Sequence, residues 1–554
     1  MNRKIWKALG IAVCMLALAA PRAMAKTYEV WTGDKFAATV QEINNKSSDK
    51  INEIVLCDDI ELTSGQMLTR GETTIKSKDE DHKITIKGSS AGITVTGGET
   101  VLNLGANGYD GTLTIDGKTS GGFVSVLEGA TANMYENVTL QNWQFVGNAC
   151  VVIMGSDPVT GSKSVFNMHG GVIEKCSRAV MADSGTTFHM LGGKILNCVS
   201  GNDGGGIFLY KATFIMDGGI ISGCEGLLGG GLYAEKSSTV NINNGTISGC
   251  TAGAGGGLYV VGSTLNIKGG TISECFVSDT GKGGGLFADQ STLTISGGTI
   301  KGNKAAYGGG VALRDSRVKE EEPITNWTVV DNKAYKTKTG TGYVGGGIYL
   351  ENGSMNASAG SNKIYNNTAD GHGADICLDG SSTIKLPNAA NMGAKYHDSG
   401  IYIDGWYNDD NPRYTPSESG VPVNVDGAEP LKGALSLVAS YKAIPVHIEI
   451  DANGGVGGSS SQTVQKGTTV TLEAPTKEGH LFKGWKDEKG NSYPAGEDGK
   501  VNITATGDMT LTAEWKKLPS AENLPKTGDE SPVLLWGAAL AVSTAACFML
   551  RRRK

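Results

Sequence analysis

The sequence predicts an all-β protein, most of which is a parallel β-helix followed by a small β domain. Three observations lead to this prediction. A unit of about 25 residues recurs through the middle of the chain. Each unit contains three short runs of alternating apolar and polar residues, which is typical of strands. Glycine supplies 82 of the 554 residues without the three-residue period of collagen, so it is expected in turns.

Two columns of residues define the repeat. The first has the pattern Gly-Gly-x-Ile-x-x-Cys, and it ends at Cys176, Cys198, Cys224, Cys250 and Cys275. The second is a triple glycine followed by an aliphatic and usually an aromatic residue, and it begins at Gly204, Gly229, Gly255, Gly283, Gly308 and Gly345. Stacked units of this length cover one another's apolar interiors, so the columns predict a β-helix over residues 26–405.

The glycine-rich repeats of residues 166–378 resemble those of the right-handed, pectate-lyase-like β-helix superfamily, especially its bacterial surface proteins. The resemblance implies a single-stranded right-handed parallel β-helix. Many β-helices of this superfamily cleave acidic polysaccharides, which raises the alternative of a wall-tethered polysaccharide lyase or glycosidase.

The motif Asp370 to Ile376 contains a Gly-His-Gly that is similar to a polygalacturonase motif. In those enzymes a paired aspartate precedes the glycines, whereas Asp409-Asp410 follows them here. We interpret Gly371-His372-Gly373 as a degenerate triple glycine, and we expect no catalytic residues, no metal and no cofactor.

The cysteine column is a candidate for disulfides, metal ligands or buried thiols. Its five members recur at one place in successive units, so their side chains are expected to point the same way, which does not suit disulfides. Metal sites favour short spacings between ligands. Asn142 is placed in this column before the cysteines, and Asn303, Asn332 and Asn367 after them. We therefore favour an inward column of free thiols, with disulfides and metal as alternatives.

The aromatic residues after the triple glycines are the candidate binding strip. Strand alternation directs the preceding aliphatic residue inward and the aromatic residue outward. The strip consists of Phe208, Tyr233, Tyr259, Phe287 and Tyr349, with Ala312 as a gap. Exposed stacked rings suit an unknown extracellular glycan or protein ligand. Self-stacking or cover by a loop is the alternative.

Both chain ends predict export. Residues 1–25 have a basic start, an apolar core and a small-residue cleavage site at Ala23-Met24-Ala25, the pattern of a signal peptide. Leu524, Pro525, Lys526, Thr527 and Gly528, followed by an apolar run and a basic tail, resemble the LPxTG sorting signal of Gram-positive surface proteins. The resemblance implies cleavage at Thr527–Gly528 by sortase and attachment to peptidoglycan. An ordinary transmembrane anchor is the alternative.

The charge balance limits the partners. Residues 1–25 and 528–554 carry eight Lys or Arg and two Asp or Glu, so their removal lowers the formal net charge from −7 to −13. Binding to nucleic acid needs clustered cations, so we expect no such partner. Contact with a membrane is expected only through the transient C-terminal span, Val533 to Leu550 within residues 517–554.

A second domain is predicted after a linker or cap at residues 406–445, which is rich in Pro, Asp and Ser near its start. Residues 446–516 resemble the Listeria–Bacteroides repeat, a β-grasp-like module related to internalin B-repeats. The match rests on the turn after Asp451, on Gly484-Trp485 and on Glu514-Trp515. We expect both tryptophans to anchor the core, since a small domain needs large apolar side chains. The resemblance implies a stalk without catalysis.

Overall fold

The computed structural model describes the chain from residue 25 to residue 518, with gaps. The gaps are residues 47–49, 88–91, 109–110, 118–123, 144–150, 157–158, 279, 320, 337–342, 358–361, 372, 386–400, 409–420, 423–430, 433–434, 444, 466 and 497, and only strand bounds are described for 401–443. The chain divides into two compact units, Met1–Lys442 and Ala443–Lys554. The sorting motif and the predicted C-terminal span lie outside the described residues, as does the signal peptide up to residue 24.

The first unit is a single right-handed parallel β-helix of about 12 turns. Its strands form three long sheets and one short sheet, and up to Thr383–Lys385 each strand pairs in parallel with its counterpart in the next coil. Sheet 1 contains Lys26–Val30, Ile51–Leu56, Glu72–Ser77, Val101–Leu104, Thr131–Met134, Val165–Met168, Thr187–Met190, Thr213–Met216, Thr239–Ile242, Thr264–Ile267, Thr292–Ile295, Arg317–Val318, Ser354–Asn356, Thr383–Lys385 and Leu431–Lys432.

Sheet 2 contains Ile60–Leu62, His82–Ile86, Leu113–Gly117, Val138–Gln141, Val172–Glu174, Lys194–Leu196, Ile220–Ser222, Thr246–Ser248, Thr271–Ser273, Thr299–Lys301, Thr328–Val330 and Lys363–Tyr365. Sheet 3 contains Gln66–Leu68, Ile93–Thr96, Val124–Leu127, Val152–Met154, Val180–Asp183, Ile207–Tyr210, Leu232–Glu235, Leu258–Val261, Leu286–Asp289, Val311–Arg314, Ile348–Glu351, Ile376–Asp379, Leu435–Ala443, Ile401–Asn408 and Val421–Pro422. The short sheet 4 contains Thr251–Ala252, Phe276–Val277, Lys304–Ala305, Lys333–Ala334 and Thr368–Ala369.

The core of the β-helix follows from strand alternation. In the coil that begins at Leu232, the inward residues are Leu232, Ala234, Val240, Ile242 and Ile247, and all are buried. The equivalent residues of the next coil lie in register with them, as Leu232 with Leu258 and Ile247 with Ile272. One continuous apolar column therefore fills the interior.

The three glycines of each triple glycine are required for three different physical reasons. The first glycine has a positive φ, such as +61° at Gly255, which glycine adopts without strain. A Cβ on the second, Gly256, would lie 2.5 Å from the carbonyl oxygen of Gly284 in the next coil. A Cβ on the third, Gly257, would lie 3.2 Å from the Cys275 Sγ. The triple glycine and the cysteine column are thus complementary parts of one close contact between coils.

The last triple glycine is shifted from the position that the sequence suggested. The backbone N–H of Gly346 donates to the carbonyl oxygen of Gly373, so the equivalent residues are Gly373, Ala374 and Asp375. Reading Gly371-His372-Gly373 as the degenerate triple glycine was therefore wrong by two residues. The Asp375 side chain accepts hydrogen bonds from Asn367 and is buried, so it closes the column at this end.

One helix, α1 at Gly33–Asn45, was not predicted. The Thr32 side chain caps its first turn by accepting the Lys35 N–H. Its buried face contains Phe36, Val40 and Ile43, which have the i, i+4, i+7 spacing of an amphipathic helix. The sequence therefore held a signal for this helix, at the start of the segment assigned to β structure. Among the described residues, no helix is long and apolar enough to cross a bilayer.

Antiparallel strands end the first unit. Leu431–Lys432 pairs with Thr383–Lys385 in sheet 1, and Leu435–Ala443 pairs with Ile376–Asp379 in sheet 3. Part of the segment predicted as a linker or cap is therefore paired with the last coil.

The second unit is a small β-sheet domain. A five-stranded sheet has the order Gln462–Gln465, Pro445–Asp451, Met509–Lys517, His480–Asp487 and Ser492–Pro494, and Thr469–Glu473 pairs with Lys500–Thr504. Trp485 is fully buried, whereas Trp515 is half-buried against Phe482 and donates its indole N–H to the carbonyl oxygen of Ala452. The described residues 445–518 contain no helix, so the likeness to a β-grasp domain is limited to strands.

Candidate binding face and the cysteine column

The aromatic residues of the predicted strip form one column on the outer side of sheet 3. Register pairs Phe208 with Tyr233, Tyr233 with Tyr259 and Tyr259 with Phe287. Their ring centroids are 5.6, 5.4 and 4.7 Å apart, respectively. Two of these pairs are stacked and the middle pair is edge-to-face, which are favourable aromatic geometries.

The rings are much less exposed than an open binding strip requires. Tyr233 and Tyr259 are 7% exposed, and Phe287 and Tyr349 are 3% exposed. They pack against the side chains that precede the triple glycines, namely Leu228, Ala254, Tyr307 and Val344. The expectation of exposed rings was therefore wrong, and the alternative of self-stacked and covered rings is confirmed. Alternation fixes the outward direction of a side chain but not what covers it.

The gap at Ala312 is closed by a neighbouring residue. Tyr307 precedes the triple glycine of that coil and packs against the aromatic cluster around Ala312, with its ring 5.4 Å from that of Tyr349. The Lys282 ammonium lies 5.6 Å from both of these rings and forms an ion pair with Glu351. The column therefore continues past Ala312 as a mixed aromatic and charged surface.

A column of charged residues borders the rings, two positions further along most strands. Arg314 binds Asp289 through both Nε and Nη2, and its guanidinium lies 5.3 Å from the Phe287 ring. The Tyr349 hydroxyl donates to Asp379 at 2.9 Å. We call the aromatic column and these charged neighbours the aromatic face. This charged column was not predicted from the sequence. Residues i and i+2 of a strand lie on the same side of the sheet, so the signal was present in the sequence.

Two carboxylates lie close to Tyr233 at the N-terminal end of the aromatic face. The Tyr233 hydroxyl donates to Glu235 at 3.3 Å. Asp203, which precedes a triple glycine, has a buried Oδ1 that accepts no hydrogen bond. Arg178 is buried beside it, donates to the carbonyl oxygens of Gly204 and Asp203, and lies 4.9 Å from the Phe208 ring.

The titration behaviour of these groups follows from their burial. Burial raises the pKa of Asp203; the charge of Glu235 adds to this effect and Arg178 opposes it. Burial, with the nearby charge of Asp289, raises the pKa of Tyr259 to about 12. Burial raises the pKa of Tyr349 as well, and its hydrogen bond to Asp379 adds to the shift. The hydroxyls of Tyr259 and Tyr349 already donate to Asp289 and Asp379, so they can serve a polar ligand as hydrogen-bond acceptors.

The five column cysteines are buried free thiols. Each Sγ donates to a carbonyl oxygen two residues earlier, for example Cys275 to Ser273 at 3.3 Å. Hydrogen bonds to the thiols of Cys176 and Cys224, together with burial, raise the pKa of Cys198 well above its usual value. The described cysteines form no disulfide, and the described residues contain no cluster of three or more metal-ligating side chains.

Asparagines continue the column beyond Cys275, as the sequence suggested. The Asn303 Oδ1 accepts the Cys275 N–H at 2.9 Å, and Asn332 and Asn367 repeat this contact in the next coils. The placement of Asn142 was wrong. Leu140 pairs with Ile173, which puts Trp143 opposite Cys176 and Asn142 one residue earlier, at a φ of +63°. Trp143 is fully buried, so this position accepts a large side chain in an early coil.

We expect the column thiols to resist modification in the folded protein. Thiols react only where a reagent reaches them, and the five column thiols are buried. Alkylation with iodoacetamide, mapped by peptide mass spectrometry, is expected to label Cys57, which is partly exposed, well before the five column cysteines. Denaturation is expected to remove this difference. Rapid native labelling of the column would contradict the structure.

Comparisons with known proteins agree with the fold. A family model described as a right-handed beta helix region matches residues 159–319 and 229–391. A model described as a divergent InlB B-repeat domain matches residues 444–519. No curated protein and no solved structure matches the chain.

Proposed function

We propose that the chain is a cell-wall-anchored surface protein, an adhesin or binding rod displayed by sortase. Its anchor partners are sortase and peptidoglycan, and its β-helix binds an extracellular glycan or protein. Three sequence elements in a fixed order support the proposal for anchoring. They are the motif from Leu524 to Gly528, the apolar run that follows it and the basic tail at the end. The proposal for binding is supported by the aromatic face, which is the observation that carries it.

The aromatic face offers the contacts that a polar ligand needs. Arg314, Lys282 and Glu351 are part-exposed and Asp379 is exposed, all next to a buried, closely packed aromatic column. Rigid rings lower the conformational entropy lost on binding, while part-exposed charges supply orientation. A ligand on this face would contact hydroxyl edges and charged groups rather than ring faces.

The anchoring proposal predicts a change of cell fraction. In a Gram-positive host with its sortase, the unaltered chain is expected in the fraction released by wall-digesting enzymes. The Pro525→Ala variant is expected to shift to the membrane fraction, because proline favours the extended conformation that an enzyme groove accepts. Ser531→Ala, after the cleaved bond, is the matched control. An unchanged wall fraction for Pro525→Ala would contradict this sorting signal.

The binding proposal predicts a loss of affinity without a loss of fold. Alanine at Tyr233 and Tyr259 would open cavities, so the double variant Tyr233→Phe with Tyr259→Phe is the better test. It removes two hydroxyls and keeps the packing. We expect affinity for ligands selected on a glycan array or from immobilised matrix proteins to fall about fivefold or more, the effect of losing one or two hydrogen bonds.

The melting temperature is expected to stay within about 2 °C, since the substitutions keep the buried apolar surface. The same glycan array also distinguishes a binding protein from an enzyme. New reducing ends or unsaturated products on bound glycans would favour the lyase or glycosidase alternative. Unchanged binding by the folded double variant would remove the aromatic face as the binding surface.

A further inference from the structure

A polar notch lies at the corner between sheets 3 and 1, near the C-terminal end of the β-helix. Its volume is about 420 Å³, at the small end of the range of ligand sites. Its lining includes Gln290, Thr292, Asp315, Arg317 and Gly353, and contains no aromatic side chain. None of these residues belongs to the aromatic face.

The notch coincides with a break in a ladder of buried serines. At this corner the N–H of one coil donates to a serine hydroxyl of the next. Ser238 donates to Ser263 at 3.1 Å, Ser263 to Ser291 at 3.2 Å, and Ser291 to Ser316 at 2.9 Å. Arg317 pairs with Ser354, so the next position of the ladder is Gly353, which has no side chain. The ladder resumes where the Gly353 N–H donates to Ser382.

The backbone does not require glycine at this break. Gly353 lacks the positive φ of the turn glycines, and the nearest atom to a Cβ there, the carbonyl oxygen of Ser316, would be 3.1 Å away. A serine would fit after a small adjustment and would continue the ladder. The missing side chain therefore leaves an opening that the fold itself does not need.

The groups around the opening are free to bind. Within the described part of the chain, the Asp315 carboxylate and the Arg317 guanidinium form no ion pair, and both residues are exposed. The Gln290 backbone N–H donates to the carbonyl oxygen of Arg314, whereas its side-chain amide makes no hydrogen bond among those residues. Planar amide, carboxylate and guanidinium groups can pair with two neighbouring hydroxyls at once, since each presents two donor or acceptor atoms. A polar lining without rings does not suit an apolar ligand.

We propose that this notch is a subsite for one hexopyranose residue of an extracellular glycan. Neighbouring sugar hydroxyls bond Gln290, Asp315 and Arg317, and the ring occupies the space above Gly353. The proposal rests on the proposed function only in placing the β-helix outside the cell.

Saturation-transfer NMR on the purified chain tests the subsite. The probes are the methyl pyranosides of glucose, galactose, mannose, N-acetylglucosamine and glucuronate, the last of which distinguishes an acidic from a neutral sugar. At least one is expected to bind with a millimolar dissociation constant. Gly353→Ser is expected to weaken the binding of that pyranoside about tenfold without lowering the melting temperature. Arg317→Ala is expected to weaken the same binding while the notch stays open. The control is Thr239→Ala, in the same column as Thr292 but two coils earlier.

Two results would overturn the subsite. One is the absence of binding by every probe. The other is binding that Gly353→Ser leaves unchanged. If such binding is lost in the Tyr233→Phe, Tyr259→Phe variant, the sugar binds the aromatic face, which supports the proposed function and refutes the notch. Loss in the notch variants alone supports the notch independently of the aromatic face.

Discussion

Replacing Gly256 by alanine is expected to destabilise the β-helix by about 3 kcal/mol, which is at the large end for a single methyl group. The added Cβ would lie 2.5 Å from the carbonyl oxygen of Gly284 and 2.7 Å from that of Phe276. Both obstacles are backbone atoms of the next coil, so no side-chain rotation relieves them. The coils must separate locally, which weakens the hydrogen bonds that hold them in register.

The measurement is the midpoint of urea unfolding, followed by far-ultraviolet circular dichroism, for the variant and for Gly201→Ala. Gly201 is exposed, and a Cβ there would meet nothing within 4 Å. This control therefore reports the general effect of removing a glycine in the same β-helix. Equal midpoints for the two variants would mean that the coils do not approach as closely as the structure has them.

The triple glycine also shows how far the sequence could lead. Its spacing was enough to predict the repeat, the β-helix and the register of Leu232, Leu258 and Leu286, since these depend only on period and alternation. The reason for the second and third glycines lies in atoms of the next coil, such as the Cys275 Sγ. A contact between coils cannot be read from one repeat.

The aromatic face shows the limit of the same reasoning. Alternation placed Tyr233 and Tyr259 outward in register, but it could not show that Leu228 and Ala254 pack against this column. Those residues precede the triple glycines in turns, and strand alternation does not determine the direction in which a turn carries its side chains. The charged column follows from the period of two along a strand. The missing serine at Gly353 depends instead on N–H to hydroxyl bonds between coils, which no single repeat shows.

Replacing Asn332 by alanine is expected to cost about 4 kcal/mol, more than the loss of any single hydrogen bond. The Asn332 Oδ1 accepts from the backbone N–H and the side-chain amide of Asn303, at 3.0 and 2.9 Å. Its Nδ2 donates to the carbonyl oxygens of Ile300 and Val330 and to the Asn367 Oδ1. Asn332 is 1% exposed, so water cannot replace these partners.

The matched variant is Asn332→Cys, which tests whether thiol and amide have the same role in this column. Five coils already hold a thiol at this place. In the three with Cys224, Cys250 and Cys275, the Sγ occupies the space beside the third glycine of the preceding coil, as the Asn332 amide does beside Gly310. A thiol is a weak donor and acceptor, so we expect Asn332→Cys to cost about half as much as the alanine variant. Urea midpoints of the two variants, measured under reducing conditions, give the comparison. Equal losses of stability in the two variants would mean that the cysteines fill space without taking part in the hydrogen bonds of the column. The cysteine part and the asparagine part of the column would then be two separate structures that meet at Cys275 and Asn303.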